Sequence, residues 1–174
     1  LPLGCDAGRT LRRTPLSELR QSDGHLAPRP LRVLFLAAAP TDQHQLDFER
    51  EEDAILQATS RMPQHVVLQV ADSGTLPELA QLVTKFQPHV VHLSGHGLLC
   101  RDGTGTFALE NERGLTDTVD SRELAEKVFG GSNVRCVFLN GCQTSQAAVA
   151  GLCQHLVAAG VPLVLGWSAS VADD

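Results

Sequence analysis

The strongest constraint on this chain is a set of short, continuous apolar runs, each closed by a turn signal. Arg32–Ala39 reads R-V-L-F-L-A-A-A and ends at Pro40-Thr41. His65–Val70 reads H-V-V-L-Q-V, and His89–Leu93 runs into Ser94-Gly95-His96-Gly97. Val134–Leu139 runs into Asn140-Gly141-Cys142, and Pro162–Trp167 reads P-L-V-L-G-W. Short runs that are apolar throughout, rather than alternating, fit strands covered on both faces.

The segments between these runs carry helical signals. From His44 to Met62, Phe48, Ile55, Ala58 and Met62 fall on one stripe. Glu49, Glu51, Glu52 and Asp53 crowd its first half, where acidic residues complement the helix dipole; a solvated face is the expectation for that run. Thr75-Leu76-Pro77-Glu78 has capping-box spacing with proline in the first turn, and Leu79, Leu82, Val83 and Phe86 follow. Asp120–Glu123 caps a short helix ended by Gly130-Gly131. A last helical pattern, Ser145 to Ala159, aligns Ala148, Leu152, His155 or Leu156, and Ala159 before Gly160. Phe107-Ala108-Leu109 suggests a small β-hairpin inserted after the His96 strand. Five strands alternating with helices predict an α/β fold, a mainly parallel sheet with helices on both faces.

Residues 1–30, with four prolines and no periodicity, read as a linker or partly ordered arm before a domain at 31–174. The 174 residues suit one domain. A net charge of −6 leaves no basic footprint for nucleic acid or anionic membrane. No apolar run approaches the roughly 18 residues of a span, and no signal-peptide pattern opens the chain. Five cysteines with no metal-type spacing read as free thiols in a reducing, cytoplasmic setting, and no cofactor is expected. Leu1 is not an initiator methionine, so the chain is expected to be part of something longer.

In parallel sheets of this kind function gathers at the carboxyl ends of strands. Cys142 sits at such an end, at the junction between a strand and a helix start, where the helix dipole favours thiolate. His96 sits at another. Together they make a nucleophile–base pair if the two strands lie side by side, with the Gly97 and Cys142 N–H groups as oxyanion donors. His92 is a weaker base candidate, because alternation places it within its strand as a buried polar residue.

The segments L-R-V-L-F-L-A-A-A-P-T-D (31–42), H-V-V-H-L-S-G-H-G (89–97), C-V-F-L-N-G-C-Q-T-S (136–145) and G-V-P-L-V-L-G-W (160–167), in this order, resemble a CHAT domain. CHAT is a caspase-like cysteine peptidase family, often attached to tetratricopeptide repeats and related to caspases and separase. The resemblance covers about residues 31–174. It implies a caspase-type sheet, with His96 matching the His of the family's H-x-x-G-H-G pattern and Cys142 the Cys of its N-x-C signature. It also implies hydrolysis of a peptide bond through an acyl-enzyme.

On specificity, the arginine set with which caspases read aspartate at P1 is not found here. In metacaspase-like relatives an acid two positions before the nucleophile reads a basic P1; Asn140 occupies that position. Members similar to separase place an acid after the fifth strand, which falls on Asp173 by the G-W-…-V-x-D pattern and makes Asp173 the S1 candidate for Arg or Lys. A caspase-type domain should continue beyond this point, so the domain is expected to be incomplete at its C-terminus, with a second chain as one way to complete it.

The resemblance therefore implies a regulated intracellular endopeptidase acting on a protein target. Such domains serve defence or cell-death responses and are switched on by a sensor or repeat-containing activator. The competing expectation is a catalytically silent interaction module of the same fold. A flavodoxin-like ligand-binding domain fits less well, since Ala37-Ala38-Ala39-Pro40 lacks the glycines of a phosphate loop.

Overall fold

The apolar runs become five parallel strands. The computed structural model describes residues 30–44, 46–99, 105–141 and 152–166. Strands β1 (Leu31–Ala37), β2 (Val66–Val70) and β3 (Val90–Ser94) belong to one sheet. A three-stranded sheet follows: β4 (His96–Leu99), β5 (Gly105–Glu110) and β6 (Thr116–Asp120). The first sheet is completed by β7 (Cys136–Asn140) and β8 (Leu163–Gly166), in the order β2-β1-β3-β7-β8 with every pairing parallel.

Strand alternation divides this sheet into two unlike faces. Leu34, Leu36, Val91, Leu93, Val137, Leu139 and Val164 are buried in the main core. They pack with Leu79 and Val83 of helix α2 (Leu76–Phe86) and with Leu152 and Leu156 of α4 (Leu152–Ala158). Each such side chain contributes roughly 1.5–3 kcal/mol through burial. Phe35, His92, Ser94, Phe138 and Asn140 alternate onto the opposite face, which carries helix α1 (Phe48–Ser60). Helices on both faces of a parallel sheet are what the continuous apolar runs predicted.

The helix starts follow the capping signals. Thr75 Oγ1 accepts from the Glu78 N–H, and Gln87 ends α2 in the left-handed region with Pro88 behind it. Asp120 likewise accepts from the Glu123 N–H to start α3 (Ser121–Leu124), which continues as a π-helical turn (Ala125–Phe129). In α4 it is Leu156, not His155, that turns into the core. Gly160 follows that helix at φ +102°, a conformation few other residues tolerate.

The hairpin expected around Phe107–Leu109 forms from β5 and β6, and His96–Leu99 pairs with β5 as a third antiparallel strand. Helix α1 ends at Ser60, short of Met62, and its stripe stays outside the main core: no residue of the helix is fully buried, Ala58 is exposed, and Met62 is 47% exposed. What ties α1 down is polar.

Candidate active site

Register brings the two marked strand ends together. β3 and β7 are direct neighbours, and Ser94 pairs with Asn140. His96 and Cys142 each follow their member of this pair by two residues. Neighbouring strands lie about 4.8 Å apart, and two residues of chain reach no further than about 7 Å. Cys142 and Asp173 themselves lie outside the described residues, as does Trp167.

The contact continues past the ends of the strands. The Gly95 N–H donates to the Asn140 carbonyl at 3.1 Å. A Cβ on Gly141 would lie 2.8 Å from the Gly97 nitrogen and 2.9 Å from the Gly95 oxygen, so only glycine lets the two chains approach this closely. Phe107, wholly buried on β5, is the floor beneath both: its ring atoms lie 3.0 Å from a Cβ on Gly95 and 3.2 Å from one on Gly141. Gly97 is thereby set beside the residue that precedes Cys142.

His96 opens β4, where its backbone pairs with Ala108. Its Nε2 lies 2.7 Å from the carbonyl oxygen of His44. A carbonyl only accepts, so Nε2 carries the hydrogen and Nδ1 keeps the lone pair that can take a proton. The orienting group is thus a backbone carbonyl in the loop after β1. That loop is anchored in turn to the turn between β5 and β6. Asp42 Oδ1 accepts from Thr116 N at 2.8 Å and from Thr116 Oγ1 at 2.7 Å, and the Thr41 N–H donates to the Gly114 carbonyl at 2.9 Å. The bonds from the Thr116 hydroxyl and N–H hold the Asp42 carboxyl below its ordinary range. At the end of β1, the Ala39 N–H donates to Glu110 Oε1 at 2.8 Å.

On the α1 face, Glu51 reaches the same strand ends. Its Oε1 accepts from His92 Nε2 at 2.8 Å and from Asn140 Nδ2 at 2.7 Å. The His92 ring stands edge-on to Phe35 and Phe138, with centroids 5.3 and 4.7 Å away. Burial alone would raise the Glu51 pKa. Hydrogen bonds from His92 and Ser94, attraction to His92, and the Asn140 bond outweigh it and hold the carboxyl below its ordinary value. His92 is accordingly a part-buried polar residue within its strand, held by Glu51. The acidic run on α1 is solvated only in part, because Glu51 turns inward. On β7, burial pushes the Cys136 thiol pKa up and disfavours the nucleophilic thiolate there.

A five-stranded parallel sheet flanked by helices, with a histidine and a cysteine segment at adjacent strand ends, defines a caspase-like α/β domain. A family model described as the CHAT domain matches residues 5–174, and the chain belongs to that family of caspase-like peptidases. A search of curated proteins found no match. No helix among the described residues is long and apolar enough to cross a membrane.

Three contributors escaped sequence reasoning: the His44 carbonyl, Phe107 as a floor, and Glu51. Only Glu51 left a signal, as one member of an acidic run at the start of a helix.

Proposed function

We propose that this CHAT domain is a cysteine endopeptidase in which His96 and Cys142 act as the dyad. The observation that carries the reading is the His96–His44 hydrogen bond, which commits Nε2 as a donor and leaves Nδ1 as the basic nitrogen. His96 takes the thiol proton, and the Cys142 sulfur attacks the carbonyl carbon of the scissile bond. The N–H groups of Gly97 and Cys142 face the developing oxyanion. As the C–N bond breaks, His96 gives its proton to the leaving amine, and water then hydrolyses the thioester. Asp173 and Asn140 are the residues assigned to the S1 pocket, with Lys or Arg as the P1 residue.

The setting that fits is a cytoplasmic defence or cell-death response. A sensor or repeat-containing partner, and in some assemblies a second C-terminal chain, would switch the domain on. The test is cleavage of a positional-scanning peptide library by the full chain with its activator. Wild type is expected to cut, and Cys142→Ala and His96→Ala are expected to be inactive yet folded. A Cys142→Ala protein that still cuts removes the assignment. Failure of an acyloxymethyl ketone to label Cys142 in the activated assembly favours a catalytically silent interaction module instead.

A further inference from the structure

The two faces of the parallel sheet are covered to different degrees. Toward α2 and α4, Leu34, Val91, Val137 and Val164 are buried. On the α1 face, Val33, Val90, Cys136, Phe138 and Leu165 are only half-buried, and Leu163 is 39% exposed. Strands β1, β3 and β7 are interior, so an open sheet edge does not account for this. Among the described residues α1 is the only helix on this face. It lies over the β2 side and reaches β3 and β7 through the Glu51 side chain. Parallel sheets are ordinarily buried on both faces.

Topology explains why the crossovers leave this floor open. Connections between parallel strands are right-handed, so the direction of the move along the sheet selects the face. The move from β1 to β2 runs one way and places α1 on this face. The moves from β2 to β3, β3 to β7 and β7 to β8 all run the other way. Their helical segments, α2, the Ala125–Phe129 turn and α4, accordingly lie in the main core opposite. A cover for the β3-β7-β8 half of the α1 face has to come from outside the succession β1 to β8.

The segment before β1 fits that role. Leu31, 43% exposed, opens β1 on this face by alternation with Val33 and Phe35, so residues 1–29 lead in at its margin. From β1 to β8 is three strand spacings, about 14 Å, which about ten helical or five extended residues cross. The family match begins at residue 5, so the CHAT domain takes in this segment together with the sheet. Leu11, Leu16, Leu19 and Leu26 are the side chains it can offer to an apolar floor. Its five arginines against three acids complement α1, where Glu49, Glu52 and Asp53 form no ion pair among the described residues.

We propose that residues 1–29 dock on the α1 face of the sheet. Their leucines seat on Val33, Val90, Phe138 and Leu165, and their arginines lie beside the acids of α1. The segment is then a layer of the domain rather than a linker to it. The proposal does not rest on the peptidase reading.

Methyl NMR of the full chain with a dissolved gadolinium chelate, which broadens exposed methyls, tests this. In wild type the methyls of Val33, Val90, Leu163 and Leu165 should be shielded, unlike those of Leu56 and Val67, which are 41% and 40% exposed. In Leu16→Glu/Leu19→Glu protein the four should broaden as strongly as Leu56 and Val67, while Leu36 and Leu139 in the core stay shielded. Methyl NOEs from Leu16 or Leu19 to Val90 or Leu165 in wild type supply a readout that needs no variant. Floor methyls that broaden in wild type, or that stay shielded in the variant, overturn the proposal. Shielding lost on dilution to monomer overturns it by assigning the face to a second copy. Shielding that appears only with an activator overturns it by assigning the face to a partner. If the variant unfolds, the wild-type NOEs decide, and their absence overturns the proposal.

Discussion

Glu51 and Asn140, 89 positions apart, share a 2.7 Å hydrogen bond that fastens the first helix to the strand end preceding Cys142. The bond also links the acid sensitivity of the fold to the site. Burial raises the Glu51 pKa, but the bonds from His92, Ser94 and Asn140 bring it below its ordinary 4.5. A carboxyl whose folded pKa lies below its unfolded one contributes fully above about pH 4.5, and the contribution is lost as pH falls through the folded value. Thermal melts from about pH 6 to about pH 3 should therefore fall more steeply for wild type than for Glu51→Gln. Parallel curves would mean that the carboxylate carries no linkage.

Gly141 and Gly95 make unequal demands. A methyl on Gly141 meets backbone on both sides, at 2.8 and 2.9 Å, whereas one on Gly95 meets the Phe107 ring at 3.0 Å and the Ala38 oxygen at 3.3 Å. A ring can give by tenths of an ångström more readily than two backbone segments can. Gly141→Ala should thus be the more destabilising, by about 2–3 kcal/mol, within the range of severe point substitutions. It should also part the strand ends and slow Cys142 alkylation. Urea denaturation of the two variants reads the order, and equal stabilities would show that the strand ends adapt.

Thiol reactivity should follow location. Burial pushes the Cys136 pKa up, and Cys153 is buried in α4. Limiting iodoacetamide at neutral pH should therefore label Cys142 before either of them, read by peptide mapping. Adding urea should equalise the rates. Preferential labelling of Cys136 in the folded protein would contradict its burial-raised pKa.

The parallel sheet was legible because each strand is a continuous apolar run closed by proline or glycine, as at Ala39-Pro40 and Leu93–Gly97. Helix starts at Thr75 and Asp120 were legible because their caps are local, within three residues. The α1 stripe of Phe48, Ile55, Ala58 and Met62 has helical spacing but faces an edge strand and solvent, because spacing marks a helix without saying what it packs against. The site's supports are long-range: Glu51 to His92 spans 41 positions and His96 to His44 spans 52. Nothing local separates an inward Glu51 from Glu49 or Asp53 on the same run. The His44 contribution is a backbone carbonyl, which every residue type supplies and which no sequence pattern marks.

The carbonyl that orients His96 is only as fixed as the loop bearing it. Asp42 ties that loop to β6 through two bonds to Thr116, one from its N–H and one from its hydroxyl. Asp42→Ala removes the acceptor and frees the His44 carbonyl to drift, so the His96 ring loses its preferred tautomer and aim. Misplacement on the ångström scale can cost up to about 100-fold, and a loosened loop should cost about 10-fold in kcat with KM little changed. Asp42→Asn keeps Oδ1 as an acceptor for both Thr116 donors and should recover most of the rate. A ¹⁵N spectrum supplies a readout independent of turnover: His96 should hold its hydrogen on Nε2 in wild type and Asp42→Asn, and sample both tautomers in Asp42→Ala. Unchanged kcat and an unchanged His96 spectrum in Asp42→Ala would show that the loop holds the carbonyl without Asp42.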